Sequence, residues 1–86
     1  MTTAKINTQH DYITLRVKFD GKKTLNLTRS RNGVSCSGTE ATREVLDFFE
    51  AWFMFQPKGQ TIGQSFEVLR AVAEKSATAA DFVGSV

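Results

Sequence analysis

Few residues in this chain have the chemistry to react, and their spacing gives them no partners. His10 is the only histidine and lies in a polar stretch, where acid–base catalysis would need a positioned acid or nucleophile beside it. Cys36 is the only cysteine, so neither an internal disulfide nor a multi-cysteine metal site can form. It falls on the apolar side of a strand pattern, which reads as a small buried hydrophobe rather than an activated thiolate. Glu44, Asp47 and Glu50 stand three apart on the wet side of an amphipathic helix and read as a solvated face. The six glycines are scattered at turns and ends, with no phosphate-cradling spacing. The expectation is a protein without catalytic residues, metal site or cofactor, one that works by binding.

The residues suited to binding are polar and basic. Tyr12, Thr14, Arg16, Lys18, Thr24, Asn26, Thr28, Ser35 and Ser37 alternate with apolar residues along strand-like segments. Lys22, Lys23, Arg29 and Arg31 are expected to cluster at the loops and rim. The expected contact surface is therefore Tyr12, Arg16, Lys18, Lys22, Lys23, Asn26, Arg29 and Arg31. Hydroxyls, amides and cations of this kind also suit phosphate contacts, but Tyr12 alone gives little platform for base stacking. A second candidate is the aromatic excess around residues 48–55. Trp52, Phe53 and Met54 widen the apolar stripe beyond what one partner surface needs; either the second helix covers its far side, the simpler reading, or part stays exposed as a contact patch that a homodimer would bury.

The elements that must position these residues follow from periodicity. Ile13, Leu15, Val17 and Phe19 alternate with polar residues, which predicts a strand with one buried face. A three-residue loop, Asp20 to Lys22, sets Val17 against Leu25 and Leu15 against Leu27. A two-residue loop would split the apolar set between faces. Asn32-Gly33 predicts a tight hairpin pairing Arg31 with Val34 and Arg29 with Cys36. Ser37-Gly38-Thr39-Glu40 has capping-box spacing, predicting a helix from about residue 39 to 55 that Pro57-Lys58-Gly59 ends. A second helix fits about Thr61 to Ser76, and Thr78-Ala79-Ala80-Asp81 opens a short turn that brings Phe82 and Val83 back.

These pieces predict an α+β fold: a three-stranded antiparallel β-meander packed on one face by two C-terminal helices. One domain spans residues 1–86, with a loose leader at 1–10 (at most a few residues added at a sheet edge), the meander at 11–37 and a helical layer at 39–83. Residues 1–36 hold seven Lys/Arg against two Asp, or +5, and residues 37–86 hold four against seven Asp/Glu, or −3. Charge so divided gives a dipolar field if the halves form separate layers. The N-terminus lacks the apolar run of a secretory signal and no stretch is long enough to span a membrane, so a cytoplasmic location and no membrane partner are expected.

Glu50-Ala51-Trp52-Phe53, then Pro57, Gly59 and Gly63, then a helix with Phe66 and Leu69, all following a β-meander, resembles the small phage-encoded anti-CRISPR proteins that inhibit type I-F surveillance complexes. These too place an antiparallel sheet before two helices, with a Trp-Phe pair ahead of a Pro/Gly break. The resemblance covers residues 12–75 in layout and only a handful of identities, so no functional residue is carried over. It implies a phage or mobile-element inhibitor or adaptor that occludes a surface of a host protein complex. The basic hairpins supply the alternative, a small nucleic-acid-binding regulator.

Overall fold

A computed structural model of the chain describes residues 1–86. Four strands form one antiparallel sheet in the order β1 (Thr3–Thr8), β2 (Tyr12–Lys18), β3 (Thr24–Ser30) and β4 (Gly33–Ser37). Three helices follow: α1 (Arg43–Met54), α2 (Ile62–Glu74) and α3 (Ala79–Ser85). The α+β class and the meander stand, with one more strand and one more helix than expected. The leader is β1. It pairs Ala4 with Val17 and Ile6 with Leu15, so its apolar residues join the buried face. No helix is long and apolar enough to cross a membrane.

Parity explains the sheet. Leu15, Val17, Leu25 and Leu27 are fully or almost fully buried, and cross-strand pairs Leu15–Leu27 and Val17–Leu25 hold the first hairpin in the expected register. The Phe19 N–H donates to the Lys23 carbonyl at 2.8 Å, closing the three-residue loop around Gly21, whose φ is +86°. The second hairpin differs. Its turn is Arg31-Asn32, and it pairs Ser30 with Gly33, Arg29 with Val34 and Leu27 with Cys36. A type I′ turn needs left-handed backbone at both central residues. Asn32 does not adopt it, whereas Gly33 has φ +133° at the first position of β4. The slip is one residue on each strand, so parity survives and Val34 and Cys36 still share the face of Leu25 and Leu27.

The first helix begins at Arg43, capped by Thr42, whose Oγ1 accepts from the Val45 N–H at 3.2 Å. The capping box at Ser37–Glu40 does not form, because Thr24 already holds that segment. The Thr24 N–H donates to Thr39 Oγ1 at 2.8 Å, the Thr39 N–H donates to Thr24 Oγ1 at 3.2 Å, and the Glu40 N–H donates to the Thr24 carbonyl at 2.9 Å. Gly38 turns the chain into this clamp with φ +104°, where a Cβ would sit 2.7 Å from the Thr24 carbonyl oxygen. By contrast, α2 has a full capping box: the Gln64 N–H donates to Thr61 Oγ1 and the Thr61 N–H to Gln64 Oε1. Thr78 caps α3 at the spacing read from the sequence.

α1 lies over β4 and α2 over β1 and β2. Phe66, Leu69 and Ala73 of α2 are fully buried, as is Phe49 of α1. The gap between them is filled by Phe82 of α3, with its ring 5.5 Å from Phe49 and 6.4 Å from Phe19. The chain's start is tied to the same layer by Thr2, whose Oγ1 donates to the Ser76 carbonyl at 2.6 Å.

Two substitutions test this packing. Phe82→Ala should lower unfolding free energy by about 3–5 kcal/mol in urea denaturation, while Phe55→Ala, at an 82% exposed position, should change it by less than ~0.5 kcal/mol. Equal effects would show that Phe82 is not the core plug. Gly38→Ala should cost roughly 1–3 kcal/mol through backbone strain and the clash with Thr24, and an unchanged denaturation midpoint would refute the clamp.

Candidate binding surface

With three helices on one side, the other side of the sheet is bare. The register builds it in cross-strand rows. Thr3, Lys18 and Thr24 form one row; Lys5, Arg16, Asn26 and Ser37 the next; Asn7, Thr14, Thr28 and Ser35 a third; and Tyr12 with Ser30 a fourth. Thr14 and Thr28 share a hydroxyl–hydroxyl bond of 3.2 Å at the centre. Every side chain on this face is a hydroxyl, an amide, a cation or the Tyr12 phenol.

No strand contains an Asp or Glu. The sheet's cations therefore have no carboxylate on their own surface. Lys5, Arg16 and Lys18 make no ion pair, whereas Arg43 pairs with Asp47 and Arg70 with Glu67 and Glu74 on the helices. Lys5 stands directly opposite Arg16, with Cα atoms about 5 Å apart by antiparallel geometry. Like charges opposite one another are destabilising. Lys18 follows two residues along β2 on the same face. Together with Thr3, Thr24 and Asn26 these cations line an open depression of 330 Å³. The chemistry on offer is hydrogen-bond donation and positive charge to an anionic surface.

The expected contact residues divide. Tyr12, Arg16, Lys18 and Asn26 lie on the outer face as read, with Tyr12 44% exposed at one corner. Lys22 and Lys23 lie in the β2–β3 turn, at the same end as Lys18. Arg29 and Arg31 are not clustered with them, because β3 separates the two ends by roughly 20 Å of strand. Arg29 also has the wrong parity for the outer face. It pairs with Val34, is half-buried, and hydrogen-bonds the Ser30 carbonyl through its guanidinium. Lys5 was missed with β1, although Ala4 and Ile6 alternating with Thr3, Lys5 and Asn7 carry the strand period.

Of the two outcomes open to the aromatic stripe, coverage prevails for most of it. Trp52 and Phe53 are half-buried and packed against the core, with the Phe53 ring 5.0 Å from Trp52 and 5.4 Å from Phe66. Met54 remains 80% exposed, and beside it Phe55 is the other large apolar side chain left in solvent there. His10 sits in the β1–β2 turn, exposed, with Asp11 at 3.9 Å. No group of three or more His, Cys, Asp or Glu is placed to hold a metal ion.

Cys36 is half-buried between β4 and α1. Burial, and then the nearby Glu50 carboxylate, push its thiol pKa up, so the thiolate is disfavoured. Alkylation by iodoacetamide should run slower than for a free cysteine at pH 8 and should speed up in Glu50→Gln. A rate at or above that of the free amino acid would contradict this. No protein-family model matches the chain, no curated protein matches it, and no solved structure matches it.

Proposed function

We propose that the chain is a small non-enzymatic binding protein that acts by occlusion, laying its outer sheet face on an acidic surface of a partner protein complex. The observation that carries this reading is the Lys5–Arg16 pairing. Two cations face each other across β1 and β2, with Lys18 beside them and no carboxylate on the surface. Local energetics disfavour that arrangement, and places where a sequence breaks a local rule are candidate functional sites. An acidic partner removes the conflict by supplying the missing counter-charge, which adds both orientation and association rate.

The resemblance of Glu50-Ala51-Trp52-Phe53 and the following Pro57/Gly59 break to the type I-F anti-CRISPR proteins favours a protein target of that kind. The same cations favour a second reading, a nucleic-acid regulator that holds phosphates on the sheet. Two features count against stacked single strands: Tyr12 is the only aromatic on the face, and the helical layer behind it is acidic.

One experiment separates the two. The full chain is passed with a purified type I-F surveillance complex over a sizing column, and in parallel its binding to labelled DNA and RNA is followed by anisotropy. Stoichiometric co-elution that Lys5→Glu/Arg16→Glu abolishes is the expected result. Nucleic-acid affinity falling roughly 10-fold or more between about 50 and 200 mM salt would favour the second reading. Neither complex nor nucleic acid bound, or co-elution indifferent to the double substitution, would refute the outer face as the contact surface.

A further inference from the structure

Arg29 and Arg31, which the length of β3 sets apart from the outer-face cations, line a depression of their own. It lies at the end of the sheet where the β1–β2 turn meets Ile62, the first residue of α2. Its volume is 280 Å³, close to the roughly 300 Å³ at which sites for small ligands begin. Arg29 has helix-side parity and is half-buried, yet it makes no ion pair. A charge taken out of water is costly unless a counter-charge meets it. Glu50 shares a second depression with Arg29 but forms no ion pair with it. Asp11 is the one carboxylate in the first depression, and its ion-pair contact is with His10 at 3.9 Å. Arg31 is exposed and unpaired as well. The guanidinium of Arg29 is held by its bond to the Ser30 carbonyl, which uses one of the several N–H donors that group carries.

We propose that this depression binds a nucleoside monophosphate, with its phosphate on Arg29 and Arg31 and its base against the Tyr12 ring and Ile62. The phosphate follows from charge and donor number. A phosphate monoester is close to a dianion and offers three acceptor oxygens, which matches two guanidinium forks. A carboxylate brings a single charge and two oxygens, and would leave one arginine unanswered. The base follows from the apolar wall. Tyr12 and Ile62 are each 44% exposed, so an aromatic ring and an aliphatic side chain stand uncovered in the same depression as the two cations. A flat base stacks on such a ring without regard to its sequence identity. One ring serves one base, which suits a mononucleotide and not a strand. The site does not depend on what Lys5, Arg16 and Lys18 bind on the outer face.

Amide NMR of the full chain tests the proposal, by titration with adenosine monophosphate and cytidine monophosphate and, separately, with adenosine and inorganic phosphate. Both monophosphates should give saturable shifts at the β1–β2 turn and around Arg29 and Arg31. Adenosine and inorganic phosphate should each bind at least roughly tenfold more weakly, because each lacks one half of the contacts. Arg29→Gln and Arg31→Gln should each weaken monophosphate binding by roughly tenfold. Lys75→Gln removes the same charge just past the far end of α2 and should change binding by less than about twofold, since solvent and salt screen an exposed charge at that distance. The spectrum of each free variant reports whether the fold is kept, and Arg31→Gln, at an exposed turn position, carries the test if Arg29→Gln does not fold. No saturable shift with either monophosphate at millimolar concentration overturns the proposal. So does inorganic phosphate binding as tightly as the monophosphates, Lys75→Gln weakening binding as much as Arg31→Gln, or shifts that map to Lys5, Arg16 and Lys18 instead.

Discussion

The buried side of the sheet cannot stand in water, and covering it organises everything else. Leu15, Val17, Phe19, Leu25 and Leu27 form a continuous apolar layer across two hairpins. No single helix is wide enough to cover it. α1 takes the β4 side and α2 the β1–β2 side, which leaves a gap between the two helices. Phe82 closes it from a seven-residue helix at the end of the chain. A helix that short has little stability of its own, so its position comes from packing and from the Thr78 cap. In a domain of this size a few large aromatics supply much of the core, and the Phe19–Phe82–Phe49 contact ties the sheet to α1 and α3.

Putting all the helices on one side also sorts the charge. The acids lie in two turns and in the segments that make or approach the helices, while the strands hold cations only. The two halves of the sequence therefore become two layers of opposite sign, with the field directed through the thickness of the molecule. Within the helical layer the acids are partly answered by Arg43 and Arg70 in exposed pairs of small energetic weight. On the sheet nothing answers Lys5, Arg16 and Lys18. The molecule keeps an unbalanced surface where a neutral one would be more stable, and that conflict is the physical basis for reading the surface as a contact site.

Aromatic composition alone left open whether the α1 stripe is covered or exposed. Trp52 and Phe53 have the types favoured at interface centres, yet both pack inward, Phe53 on Phe66 and Trp52 edge-on to Phe53. The large apolar side chains left in solvent on this part of the chain are instead Met54 and Phe55, at the end of α1. Side-chain type did not distinguish these positions. The placement of α1 over β4 did.

The alternation of Ile13, Leu15, Val17 and Phe19 with Thr14, Arg16 and Lys18 determined by itself which face of the first hairpin is buried. It fixed the loop length too, since only one register keeps the apolar set together. Helix-cap signals show how far local chemistry reaches. The helix expected from about Thr61 and the cap read at Thr78 both form, each threonine accepting from the N–H three residues on. The Ser37–Glu40 signal fails because Thr24, thirteen residues earlier, takes Thr39 and Glu40 into the sheet's margin. β1 carried a readable period of two, but a short polar strand forms only when a neighbour offers its edge, so its place and the role of Lys5 waited on the tertiary pairing. The same holds for Arg29 and for Phe82. Sequence gives a residue its chemistry and its parity, while distance between ends of a strand, and which helix closes which gap, are settled only by long-range packing.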